Sequence, residues 1–163
     1  MTRRNLPEFK TEEEFEQKLV DLSRVTRVVA GGKRFRFRAC VILGNKKGTV
    51  GYGVAKGNDV ATALGKATRL ARKTLIEVPI INGTLPNEIR IKYKAARLIL
   101  KPASPGKGIK AGGVVRIILA LAGVENATAK ILGAKNKINN TKATFLALEE
   151  LKRFAPNYKA KPQ

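Results

Sequence analysis

Between positions 33 and 43 the chain alternates and then stops alternating. Arg34, Arg36 and Arg38 share one parity and Phe35 and Phe37 the other, whereas Cys40-Val41-Ile42-Leu43 is apolar at every position. Successive side chains of a strand point to opposite sides of the sheet. The pattern therefore predicts a strand over 33–43 whose first half has a cationic and an aromatic face. Its second half must be covered on both sides, so a further layer of protein lies over part of the arginine-bearing face. Residues 25–29 are β-branched enough to predict a preceding strand, and 49–56 a following one, with tight turns at Gly31-Gly32 and at 45–48.

Period two then gives way to a helical period. Val60, Leu64, Ala67, Ala71 and Leu75 form one apolar stripe, with Lys66, Arg69 and Lys73 opposite and Asn58 or Asp59 as the cap. In the second half, strands are predicted at 88–94 and 97–102, the first alternating Ile89, Ile91 and Tyr93 against Arg90, Lys92 and Lys94. A glycine-rich loop over 103–113 precedes an apolar helix over 114–122, which Gly123 stops at its C′ position. A strand follows at 127–132. Asn140 or Thr141 opens a last helix to about Phe154, with Ala143, Ala147, Leu148 and Leu151 inward. Thr11 and Glu14 have capping-box spacing, which predicts a helical turn through Gln17, with extended chain from Lys18. The fold class is α+β. Its parts are a partly disordered arm over 1–17, a β-β-β-α domain over 18–78, a second domain over 79–154 and a basic tail over 155–163.

Charge changes the picture from a fold to a partner. The 163 residues hold 33 Lys and Arg against 12 Asp and Glu, a net charge of +21. Six of the acids lie in the first 21 residues, so positions 22–163 carry 29 bases against 6 acids. Such an imbalance is costly through self-repulsion unless a polyanion neutralises it, and nucleic acid is the usual one. No apolar stretch approaches the length of a membrane span, and no Trp is available to anchor at a membrane surface. With no His and a single Cys, the usual transition-metal sites and the Ser-His and Cys-His dyads are excluded, and no metal or cofactor is expected. Cys40 reads as a small buried filler. The acids are confined to the N-terminal arm or isolated, so no carboxylate pair for acid-base catalysis is visible.

The loop around Gly106-Lys107-Gly108 presents backbone N–H groups ahead of a helix, a phosphate-cradle geometry. It lacks the Lys-Ser/Thr pair of a nucleotide-binding P-loop, and no acidic residue follows at dinucleotide-fingerprint spacing. Contact with RNA phosphate, contact with a protein neighbour and a purely structural turn all fit it. Lys101, Lys107 and Lys110 favour RNA.

The series Val28-Val29-Ala30-Gly31-Gly32-Lys33-Arg34-Phe35, Gly44-Asn45, and Gly48-Thr49-Val50-Gly51-Tyr52-Gly53-Val54-Ala55-Lys56 resembles the signature of the bacterial-type small-subunit ribosomal protein S5 family. The likeness continues through Asn82-Gly83-Thr84, Pro102-Ala103-Ser104-Pro105-Gly106-Lys107-Gly108, Ala111-Gly112-Gly113 with Arg116, and Ala122-Gly123-Val124. It covers roughly 18–154. Position 30 is Ala where many members carry Lys, and 58–59 is Asn-Asp where Arg-Glu is common.

The resemblance implies an N-terminal domain like double-stranded-RNA-binding domains, a C-terminal βαβα domain of the S5 type, and no enzymatic activity. It implies contact with small-subunit rRNA of the 16S type, neighbouring proteins S4 and S8, a place near the path by which mRNA enters, and an influence on translational accuracy. A small-molecule substrate is not expected. The expected rRNA-binding residues are Arg24, Arg27, Gly31, Gly32, Lys33, Arg34, Arg36, Asn45, Lys46, Lys47, Lys56 and Lys107. Gly106, Gly108 and Arg116 are expected on the S4 side, and the turn Val28, Val29, Ala30, Gly31, Gly32, Lys33 near the spectinomycin pocket of the subunit neck. The location implied is the cytoplasmic ribosome, an organellar one not being excluded. An enzyme is the alternative of a different kind, because the second domain also resembles the fold of the ribonuclease P protein subunit and several ATPases. A free-standing RNA-binding module is the third.

Overall fold

The computed structural model describes residues 15–154. The first sheet has the order β1-β2-β3-β4, all neighbours antiparallel: β1 (Glu16–Val29), β2 (Gly32–Gly44), β3 (Thr49–Gly57) and β4 (Ile76–Glu77). Between β3 and β4 lies α1 (Val60–Lys73), its first turn capped by the Asp59 carboxylate, which accepts from the Ala61 amide. The second sheet has the order β5-β6-β8-β7, from β5 (Ile89–Tyr93), β6 (Ala96–Pro102), β7 (Ile109–Lys110) and β8 (Ala127–Ile131), with β7 parallel to β8. Helices α2 (Gly113–Ala122) and α3 (Lys137–Phe154) complete the α+β chain.

The two faces of β2 go where alternation sends them. Ala39, Val41 and Leu43 are buried against Ala63, Ala67 and Ala71 of α1. Cys40 and Ile42 are buried on the other side in a larger core that they share with α2, α3 and the second sheet. The helices α2 and α3 thus form a layer between the sheets, and this layer is what covers the far half of the arginine-bearing face. The helical stripe of α1 is narrower than the one predicted. The buried row is Ala63-Ala67-Ala71, with Leu64 at its flank, and β3 meets it with Gly51 and Gly53. A Cβ at Gly53 would fall on the carbonyl oxygen of Ala67, and one at Gly51 on that of Ala71. Small residues on both surfaces let helix and sheet backbones approach each other closely.

Five expectations are corrected. Residues 11–14 of the predicted helical turn lie outside the described residues, as do most of the arm and the tail. Glu16 and Gln17 are strand, because they pair with Gly44 and Leu43 and complete the ladder of β2. The first turn is Ala30-Gly31, one residue early, with Gly32 already paired to Val29. Helix α3 begins at Lys137, and its cap is Asn136, whose side chain accepts from the Asn139 amide. Asn140 and Thr141 are buried within the helix, where the Thr141 hydroxyl donates to the Lys137 carbonyl. Strand β7 lies inside the segment predicted as a glycine loop, and β4 falls where no strand is predicted. Two residues carry too little pattern to announce a strand.

Candidate nucleic-acid interface

Strand β3 stops at Gly57, opposite Phe37. Beyond that point β1 and β2 run on alone for five residues each, about 17 Å at the rise of a strand. The ribbon holds Arg24, Arg27, Lys33, Arg34 and Arg36, all exposed, and no carboxylate occurs from 22 to 36. A free two-stranded ribbon is marginal in water. This one is anchored at its root by the sheet and offers its outer half for a partner to stabilise.

Register sorts the cations. Arg27 stands directly across from Arg34, Val25 from Arg36, Ser23 from Arg38, and Arg38 from Lys56, so these side chains share one face. Like charges directly opposite each other destabilise a strand pair, by up to about 1 kcal/mol. The Arg27–Arg34 pair is therefore a cost in the free protein that an anion removes. Arg24 belongs to the other face. It stands across from Phe37, and its guanidinium lies 3.6 Å from the centroid of the Phe35 ring. It covers an aromatic that is still 46% exposed.

Arg38 is spent internally. Its Nη2 donates to Ser23 Oγ at 3.0 Å and lies 3.8 Å from the Asp21 carboxylate, whose other oxygen is 3.3 Å from Lys137 Nζ. Asp21 thereby ties the first sheet to the start of α3. The neighbouring Cys40 thiol is buried, 3.9 Å from Thr141 Oγ1, and burial pushes its pKa up, so it is a filler and not a nucleophile.

At the tip, Gly32 has φ +142°, a conformation that side-chain-bearing residues rarely adopt. Gly31 has ordinary φ and open space around it, so only Gly32 is constrained by the fold. Val28 is 73% exposed beside this turn.

The second turn, Asn45, Lys46, Lys47 and Gly48, is separated from the ribbon tip by the length of β2, about 40 Å, so the sequence-predicted RNA residues fall in two places. This turn is largely consumed by packing. The Lys46 and Gly48 amides donate to the carbonyls of Leu121 and Ala122 and close the C-terminus of α2. Asn45 Oδ1 accepts from the Lys47 and Thr49 amides. Lys46 Nζ is 2.6 Å from Glu16, and that contact holds the Glu16 carboxyl below the usual range. Lys47 keeps an exposed side chain. Gly123, in the left-handed conformation at φ 86°, lets the Lys46 backbone lie against the helix end.

The loop after β6 contains a turn from Ser104 to Lys107, closed by the Lys107 amide on the Ser104 carbonyl, with Pro105 and Gly106 (φ 83°) in its centre. The Gly108 amide donates to Asn126 Oδ1. These bonds make the loop a structured turn and leave the Lys107 side chain exposed. Arg116 is exposed on α2 and lines an open groove with Lys46, Ile109 and Glu125. Among the described residues no group of carboxylates, cysteines and histidines is placed to hold a metal ion, and no helix is long and apolar enough to cross a membrane.

Two family descriptions match the chain: ribosomal protein S5, N-terminal domain, over residues 15–79, and ribosomal protein S5, C-terminal domain, over 91–161. The chain belongs to the ribosomal protein S5 family. Small ribosomal subunit protein uS5 of Thermotoga neapolitana is 48% identical over 85% of this chain and 78% of its own length. That of Thermus thermophilus is 46% identical over 86% of this chain and 87% of its own. The chloroplast protein uS5c of Spinacia oleracea is 48% identical, over 86% of this chain but 46% of its own length. The S5-family chain is thus a structural constituent of the small ribosomal subunit, not an enzyme.

Proposed function

We propose that the β1–β2 ribbon grips the phosphate backbone of small-subunit rRNA through Arg27, Arg34 and Arg36 on one face, with Lys56 of β3 at its root, and through Arg24 and Lys33 on the other. The observation that carries this is the Arg27–Arg34 pair, two like charges set directly opposite on a ribbon with no carboxylate. Phosphate contacts position a protein on RNA without reading bases, and the scarcity of exposed aromatics leaves shape as the source of specificity. Lys47 and Lys107 are secondary contacts. On the same reading Gly106, Gly108 and Arg116 face protein S4 across the groove beside α2, S8 is a further neighbour, and the chain lies near incoming mRNA and influences accuracy. Family resemblance supports these finer assignments, together with the exposure of Arg116.

The tip residues 28–33 lie, on this reading, beside the spectinomycin pocket. Gly32→Asp must hold φ +142° with a side chain and an added negative charge facing RNA. It displaces the turn, as does deletion of Lys33, and lowers spectinomycin sensitivity while subunits still assemble. Chemical probing of the neck rRNA with drug titration tests this. Unaltered probing together with unaltered sensitivity would show that the tip does not touch the site.

A further inference from the structure

The second sheet has one face against α2 and α3 and one face open. Ile89, Leu98, Leu100, Ala127 and Ala129 point into the core, so the alternate positions point out. Six of those eight positions are cationic, Arg90, Lys92, Arg97, Lys101, Lys110 and Lys130, all exposed, and the other two are Thr128 and the half-buried Ile99, which stands between Arg90 and Lys130. Glu88, at the margin, is the one carboxylate among the described residues in an ion pair with any of them, 3.0 Å from Lys101 and 3.1 Å from Arg90. Hydrogen bonding to Lys101, and then to Arg90, holds the Glu88 carboxyl below its usual range. Lys92, Arg97, Lys110 and Lys130 have no ion pair with a described residue. Register again sets like charges directly opposite, Lys92 across from Arg97, the destabilising arrangement already seen in the ribbon.

We infer that this open face is a second rRNA contact, which takes the phosphate backbone of an RNA duplex. It rests on the reading of the chain as an rRNA-binding protein of the small subunit. Charge complementarity selects a polyanion as occupant. The face is about 14 Å across its four strands at normal strand spacing, and a nucleic-acid duplex presents about eight phosphates over that length. Six cations match such a density. Among the described residues the face carries no aromatic side chain, since Tyr93 has the parity of Ile89 and Ile91 and turns toward the helices. A single strand held by base stacking is therefore disfavoured, and the shape and backbone of a duplex are what remains to recognise. Thr128, exposed between Lys101 and Lys110 in the register, adds a hydroxyl donor for phosphate.

Directed hydroxyl-radical probing in assembled small subunits tests the inference. A cleaving iron chelate is tethered at Thr128→Cys, in parallel at Val28→Cys on the ribbon, with the parent chain as control because Cys40 is buried. The expected result is cleavage of both strands of one rRNA helix from position 128. Cleavage from 28 with silence from 128 overturns this inference and leaves the ribbon reading standing, as does cleavage from 128 confined to a neighbouring polypeptide. Silence from both positions sinks both. In binding titrations, the variant Lys92→Gln/Arg97→Gln/Lys130→Gln is expected to lower the slope of log K against log salt by about 2.1 to 2.7, with its melting temperature unchanged or raised. An unchanged slope would also overturn the inference.

Discussion

Replacing Arg27 and Arg34 together by Gln should move stability and RNA binding in opposite directions. The two residues face each other across a ribbon that has no carboxylate from 22 to 36. Removing that repulsion stabilises the free protein by about 0.2 to 1 kcal/mol, a rise of up to about 4 °C in melting temperature for a chain of this size. Binding behaves differently. With five ribbon cations on five phosphates, the slope of log K against log salt is about −3.5 to −4.5, so affinity falls about 130- to 500-fold between 50 and 200 mM salt. With three contacts left, the slope is about −2.1 to −2.7 and the fall about 18- to 42-fold. The assay is a titration of the full chain against a small-subunit rRNA fragment at several salt concentrations, beside thermal melts of the same variants. A slope equal to the parent's, or a variant that melts lower, would refute the reasoning. The first would mean that the ribbon is not on phosphate, and the second that the arginines serve the fold.

Phe37→Ala should destabilise the protein by about 2 to 3 kcal/mol, less than a fully buried ring costs because Phe37 is half-buried. Arg36→Ala should leave the denaturation midpoint nearly unmoved and weaken RNA binding; the reverse pattern would show the faces of β2 misassigned. Gly53→Ala puts a methyl group on the Ala67 carbonyl and should cost at least about 1 to 3 kcal/mol by pushing α1 off the sheet; a midpoint within error of the parent in urea would contradict that packing. Cys40 has its pKa raised by burial. The folded state thus keeps the thiol proton longer than the unfolded chain, and the stability this gives is whole below the unfolded thiol pKa and lost as pH rises through the folded one. Alkylation of the native protein at pH 8 should be slow, and fast modification would show that the thiol is open to solvent.

Much of the ribbon is legible in the amino-acid sequence, because a period of two is a property of neighbouring residues and needs no partner to be seen. The parity of Arg34 and Arg36 against Phe35 and Phe37, and the doubly apolar run from Cys40, announce a strand with one open half and one covered half, and that is what β2 is. Where β1 joins it is not announced. The bulge around Val20 and the pairing of Arg27 with Arg34 depend on register, and register alone places Arg24 over Phe35 and not among the other arginines. The caps show the same limit. Asn140 and Thr141 have the chemistry of helix starts, yet α2, β2 and the second sheet bury them inside α3, and Asn136 takes their place. The turn at Lys46 has the pattern of an RNA contact because two lysines precede a glycine; only the fold shows its amides closing the end of α2. The cations of the second sheet are visible one strand at a time, as Arg90 and Lys92 alternating with isoleucines, and become a surface only when β5, β6, β8 and β7 lie side by side. Local pattern, set by bond geometry and side-chain polarity, determined which segments are strands and helices and which residues carry charge. Tertiary structure decided which charges share a face and which turns are already occupied, because those depend on contacts between residues far apart in the chain, and no local period encodes them.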